Sequence, residues 1–380
     1  MKKYIALLLC IIISVSLIGC GKEAPPKDEI TLLCSGEYVT EELLKEFKAA
    51  YDVTVNVTRL ESETEISETL KANPIGYDVV IASDYTINEL RTLNLLQPMD
   101  KSQLKNAKNV DPAYSNFYFD PKNEYTIPLN VAAVLAVYNK KTCPIPVKSY
   151  ADLLNPKLQG KIVFLNNSNI LAGISNIYLG YNPVSVENLT ALKETMSAFE
   201  KNTYAVHDDQ TQYILASGEA VAGVMFNPQI AEAISQNPDL EIVYPEEGFI
   251  MAADAIAYCS QEEPNISAIK FVDFMLEDKV IAKIVQNLNG CPTTKGAAKY
   301  MDKTYAQTPG NILDPSKITN VHFFYKVAPE IQREFDNMYI DVFRPHLLKL
   351  QQYYVEQAAI AEMEKEAAEA AKQVATANAQ

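Results

Sequence analysis

Short apolar runs alternating with capped, amphipathic stretches constrain this chain more than any other feature. Ile30-Thr31-Leu32-Leu33-Cys34 reads as a buried strand. Thr40 can cap a following helix whose first turn carries Glu41 and Glu42, where acids suit the helix dipole. Leu43, Leu44 and Phe47 then fall on one apolar face. Val53–Leu60 alternates as a second strand and Glu65–Ala72 is helical. Tyr77–Ala82 is a third strand running into a helix, where Thr86 and Glu89 have capping-box spacing. Strand and helix alternating in units this short predict an α/β fold with a largely parallel sheet.

The pattern then repeats after an interruption. Thr126–Tyr138 is a long apolar extended segment that suits a crossing between lobes. Beyond it come a short helix at Tyr150–Leu154, a strand at Lys161–Leu165, and helices at Ile170–Leu179 and Val186–Phe199. Ala220–Phe226 is a strand, Gln229–Ser235 a helix, Leu240–Tyr244 a strand and Ala253–Cys259 a return strand. Helices follow at Asn265–Leu276 and Asp278–Leu288. A chain that enters a second α/β unit and comes back predicts two lobes with a cleft between them. Residues 30–130 and 260–345 are expected to form the first lobe and 131–259 the second, with a hinge near 128–138 and 253–259. Residues 346–380 are expected to be an Ala- and Glu-rich helical tail, solvated or partner-binding.

Composition removes several function classes. The chain has 33 Lys+Arg against 48 Asp+Glu, a formal charge of −15, which opposes nucleic acid as the main partner. No GxGxxG or P-loop motif occurs. With 3 histidines in the chain, a His-rich metal site is not expected, and no cofactor is. His207-Asp208-Asp209 looks like part of a triad, but no serine sits in a nucleophile elbow, so no enzyme is expected. Adjacent acids at that place are expected to cap a helix. Six cysteines with no CxxC spacing give no zinc ribbon. Cys34, Cys143, Cys259 and Cys291 are expected as free thiols, a disulfide being the alternative.

The N-terminus sets the compartment. Lys2 and Lys3 precede an apolar run too short to span a bilayer, ending in Leu17-Ile18-Gly19-Cys20. That ending resembles the lipobox of bacterial lipoproteins. It implies a signal peptide over residues 1–19, lipid on Cys20, a tether over 20–29, and an exported protein anchored to the membrane.

In open α/β sheets, ligands meet the loops at the carboxyl ends of strands. Ser35–Tyr38 and Ser83–Tyr85 in the first lobe, and Asn166–Asn169 and Asn227–Gln229 in the second, occupy such places. They carry hydroxyls, amides and aromatics, which bind and orient a small polar ligand. The order of motifs now carries a resemblance. It runs from Ser35-Gly36-Glu37-Tyr38 through Tyr77–Tyr85, Leu95–Asp100, Asp120-Pro121, Tyr125–Pro128, Tyr138-Asn139-Lys140 and Tyr150–Leu153. Gly160-Lys161-Ile162, Leu179-Gly180-Tyr181, Tyr244–Gly248 and Pro292-Thr293-Thr294 continue it. In this order the chain resembles the substrate-binding proteins of ABC importers, and among them the spermidine/putrescine-binding family.

The resemblance implies a two-lobed periplasmic-binding-protein-like fold of type II, acting as a monomer. It also implies a small solute, foremost a polyamine, passed to an ABC permease. Tyr38, Ser83 and Tyr85 match first-lobe contacts of that family, and Asp254 matches a carboxylate that pairs an ammonium. Phe226 and Ser35 stand where tryptophans are usual, and Ala252 and Cys291 replace other aromatics; the chain has no Trp. The second-lobe acids of the family fall on Asn167 or Ser168 and on Ile170 or Leu171. Asp208 and Asp209 are candidate replacements. A less cationic solute, or a surface protein using its C-terminal helix for protein contact, are the alternative readings.

Overall fold

The computed structural model describes residues 28–260 and 265–377. The expected leader and Cys20 lie outside them. Of the expected tether, Asp28 and Glu29 are described, and Glu29 already pairs with Thr54 in a strand.

The first unit is β1 (Glu29–Cys34), α1 (Glu41–Tyr51), β2 (Thr54–Arg59), α2 (Glu63–Ala72), β3 (Val79–Ser83) and α3 (Asp84–Thr92). Thr40 Oγ1 accepts from the Leu43 amide at 3.3 Å and closes the start of α1 as its sequence predicts. Thr86 does not cap α3, because that helix begins at Asp84, one residue after Ser83. Glu89, its supposed box partner, is drawn instead to Lys71 (2.6 Å) and Lys326 (2.7 Å).

β4 (Thr126–Asn139) leads out of this unit. It is followed by α4 (Tyr150–Leu153), β5 (Ile162–Leu165), α5 (Ser168–Tyr178), α6 (Leu189–Asn202), β6 (Thr203–His207) and α7 (Thr211–Ser217). Then come β7 (Ala222–Phe226), α8 (Asn227–Gln236), β8 (Leu240–Val243) and β9 (Phe249–Tyr258), which leads back. β6 and α7 have no counterpart in the periodicity, since TYAVH is a short edge strand with half its residues polar. α9 (Ile266–Met275), α10 (Asp278–Leu288), β10 (Cys291–Pro292), α11 (Lys303–Gln307), β11 (Val321–Phe323) and α12 (Pro329–Ala377) complete the described chain.

Among the described residues the strands form one sheet in the order β2-β1-β3-β9-β4-β7-β5-β6. β1, β2 and β3 are parallel, as are β5, β6 and β7. β9 and β4 run antiparallel between the two sets and pair with each other from Thr126↔Ala257 to Val134↔Ile250. Both lengths are needed, because each strand belongs to both units. The result is the two-lobed type II binding-protein architecture, in which β4 and β9 tie the lobes together.

One expected boundary is overturned. Residues 260–345 were expected on the first lobe, but the end of that stretch packs on the second. β11 pairs in parallel with Phe249–Met251, and α12 lies on α5, α6 and β6. The cause is the apolar stripe Phe335, Tyr339, Phe343 and Leu350, which is buried on that side. Pro345 does not interrupt α12. A cut near Phe343 would therefore pass through a helix packed on the second unit.

Candidate functional site

Residue pairing places the site floor. Ser83 of β3, Asp254 of β9 and Asn130 of β4 are register partners in one row across three strands. Side chains alternate across a strand, so Ala252 and its partner Ala132 form the next row on the same face. Ala252 and Asp254 are the two residues of β9 that keep part of their surface exposed. Two rows on, Val134 pairs with Phe226 at the end of β7. The floor thus runs from a polar row, over two alanines, to an aromatic.

The first-lobe loops stand over the polar row. Tyr38 is buried, and its hydroxyl lies beside the Asp254 carboxylate. Gly36 permits that fold-back, because a Cβ there would sit 2.7 Å from the Tyr38 ring. Asn130 Nδ2 donates to Asp254 Oδ2 at 2.8 Å, and a Cβ on Gly290 would overlap that amide. Ser35 and Ser83 meet on one residue that the sequence reading missed, Glu63 at the first turn of α2. Ser35 Oγ donates to Glu63 Oε1 (2.5 Å), and the Ser83 amide donates to Oε2 (3.1 Å). Glu63 was hidden because an acid in the first turn of a helix reads as an ordinary dipole partner. Tyr85 lies beside Ser83, next to Glu63 and Asp254.

Asp84, the first residue of α3, reaches across to β9. Its carboxylate accepts from the Ala253 amide (3.0 Å) and from Tyr118 Oη (2.7 Å), which locks α3 to β9 beside Asp254. Burial pushes Asp84 up to about 6, against the pull of those two donors. Burial likewise raises Asp254 to about 6, Glu63 adding to it while Asn130 and Tyr38 oppose it. Among the described residues, no Lys or Arg makes an ion pair with Asp254, Glu63 or Asp84. Glu37, in contrast, points outward and pairs with Arg59 at 3.5 Å.

The second-lobe residues gather separately. Asn167, Asp208 and Phe226 line a cavity of about 450 Å³ with Ala132, Asn166 and Gln229. Asn167 Oδ1 is spent on capping α5 through the Ile170 amide (3.0 Å). Asp208 does not cap α7; it accepts from Asn166 Nδ2 (3.0 Å) and from Tyr354 Oη (2.6 Å). Asn227 is fully buried and holds strands and loops together, accepting from the Ala133 amide (2.7 Å) and donating to the Gly310 carbonyl (2.7 Å). Ser35, Tyr38, Ser83, Tyr85 and Asp254 therefore converge on one wall, and Asn167, Asp208 and Phe226 on the other. Ala132 connects the two, since it lines the cavity and lies two residues from Asn130.

The four cysteines within the described residues are unpaired, three of them buried. No helix among the described residues is long and apolar enough to cross a membrane.

Comparison with known proteins agrees with this architecture. The model for bacterial extracellular solute-binding proteins matches residues 42–311. The spermidine/putrescine-binding periplasmic protein of Escherichia coli is 28% identical over 269 residues, covering 70% of this chain and 77% of that protein. The spermidine/putrescine-binding periplasmic protein 1 of Haemophilus influenzae is 26% identical over 349 residues, or 87% of this chain and 96% of its own. Among solved structures, the spermidine/putrescine ABC transporter substrate-binding protein of Streptococcus pneumoniae superposes with a TM-score of 0.66. It has 20% identity and covers 83% of this chain and 98% of that one. A family match over most of the folded chain, on a fold with the expected pair of lobes, makes this protein a member of the bacterial extracellular solute-binding protein family.

Proposed function

We propose that this chain captures a small organic cation, a polyamine of the spermidine/putrescine class, and delivers it to an ABC permease while lipid on Cys20 holds it at the membrane. The observation that carries the ligand class is the set of carboxylates without a cation. Asp254 and Asp84 are buried enough to be raised to about 6, and Glu63 stands beside them. Buried anions normally have a charged partner, and here an ammonium would supply it. Tyr38 and Tyr85 add aromatic surface next to the same carboxylates, which favours a cation on a methylene chain. The row of Ala252 and Ala132 leaves the floor near backbone level, room for a slender chain. Kinship with proteins named for spermidine and putrescine supports the same reading. Lobe closure about β4 and β9 would enclose the solute and present the closed form to the permease. The role is capture and release, with no bond made or broken.

Thermal unfolding of the full chain in detergent tests this, with spermidine, putrescine, amino acids and sugars added one at a time. A ligand at 100 times its Kd stabilises by about 2.7 kcal/mol. A rise with the amines alone is the expected result. A rise with a neutral sugar and none with any amine refutes the cationic assignment.

A further inference from the structure

The C-terminal helix touches the loops of the second-lobe wall residue by residue. Tyr339 Oη donates to Asn166 Oδ1 at 2.7 Å, and Asn166 Nδ2 donates to Asp208 Oδ1 at 3.0 Å. Tyr354 Oη closes the chain on Asp208 Oδ2 at 2.6 Å. Ser168 Oγ donates to Asp336 Oδ1 (2.6 Å), and Asn169 Nδ2 to Gln332 Oε1 (2.9 Å). The rings of Tyr353 and Tyr354 also pack edge-on to His207, with centroids 4.9 and 5.5 Å away. Beyond Tyr354, residues 355–369 are all exposed.

That loop has particular need of such support. It follows β6, which is at the edge of the sheet and pairs with β5 alone. A loop after an edge strand has little packing of its own and is among the first parts of a fold to move. We infer that Tyr354 and Tyr339 of the C-terminal helix are positioning residues of the solute site, holding Asp208 and Asn166 in the orientation in which the second-lobe wall receives its ligand. The gain is preorganisation: ordering cost met in folding is not charged again on binding. This inference rests on the cationic-solute reading, with Asp208 as the second-lobe acceptor of an ammonium.

The test is titration calorimetry of the full chain in detergent, with spermidine as the probe. Tyr354→Phe keeps the ring on His207 and removes only the hydroxyl. Spermidine affinity should fall about tenfold, the loss of one hydrogen bond to a charged group. A purely structural tyrosine would lower the melting temperature without coupling to Asp208. The variants Asp208→Asn and Asp208→Asn with Tyr354→Phe are therefore measured too. Equal affinity in these two supports positioning through Asp208, whereas additive losses overturn it. Tyr339→Phe gives an independent reading through Asn166, should Tyr354→Phe fold poorly. Full affinity in both tyrosine variants, with binding lost in Asp254→Asn, also overturns the inference while leaving the solute reading intact. No effect of Asp254→Asn, or no spermidine binding by the unaltered chain, refutes the reading itself, and the inference falls with it.

Discussion

Asp254→Asn separates stability from binding more sharply than any other change. The carboxylate is largely enclosed and held by the neutral donor Asn130, with the Tyr38 hydroxyl alongside and Glu63 adding like charge. Its rise from 3.8 to about 6 corresponds to an upper bound of about 3 kcal/mol of destabilisation of the empty protein at pH 7. Asparagine keeps the shape and an acceptor for Asn130 or Tyr38 but carries no charge. The empty variant should therefore melt a few degrees higher than the parent at pH 7, at somewhat under about 2 °C per kcal/mol for a chain of this length.

The sign with pH follows from the direction of the shift. The folded state holds the Asp254 proton more tightly than the unfolded chain does, so its contribution to stability is fullest below about 4 and is lost as pH rises through about 6. The advantage of Asp254→Asn should thus be absent at pH 4 and grow toward pH 7. Spermidine affinity should move the other way, falling by about 2–5 kcal/mol when the charge partner is removed. Differential scanning fluorimetry at several pH values, with and without spermidine, measures both. An empty variant that melts at or below the parent at pH 7 would refute the uncompensated charge, and unchanged spermidine affinity would refute its use.

The remaining predictions concern the neighbours of Asp254. Amine binding by the unaltered chain should weaken as pH falls through about 6, because Asp84 and Asp254 then take up protons; a flat calorimetric profile from pH 7 to 5 contradicts this. Glu63→Gln keeps an acceptor for the Ser83 amide and offers an NH2 from which Ser35 Oγ can accept, while removing a charge, so spermidine Kd should rise about tenfold or more with little change in melting temperature. Gly290→Ala would push a methyl into the Asn130 amide. We expect loss of both stability and amine affinity, checked by fluorimetry and calorimetry together. Among the cysteines of the described residues, native-state maleimide labelling should mark Cys143 first, since Cys34, Cys259 and Cys291 are buried; rapid labelling of Cys291 would show the hinge region open.

Much of the fold was legible because its signals are local. Thr40 and its two acids, the apolar stripe of α1 and the runs of β1 and β3 each lie within a dozen residues. Each was read at nearly its true bounds. The failures came where a local rule met a tertiary competitor. Asp84 and Asp208 look like helix caps, but Ala253 and Tyr118 claim the first and Asn166 and Tyr354 the second, from far along the chain. Asn167, weighed as a ligand contact, has its side-chain oxygen taken by its own helix. β6 went unread because an edge strand needs no apolar alternation on its open side.

The sequence by itself determined the alternation of strand and helix, the long strand out of the first unit with a return strand, and the places of Tyr38, Ser83 and Tyr85 at or just beyond strand ends. Period and end signals are written in neighbouring residues, so they need no knowledge of the fold. Only the tertiary structure decided that Glu63 joins Ser35 to Ser83, that Asp254 and Asp84 share a wall without a cation, and that α12 belongs to the second lobe. Those facts depend on pairing between residues tens to hundreds of positions apart. Charge compensation and burial belong to the assembled sheet and to no single stretch of chain.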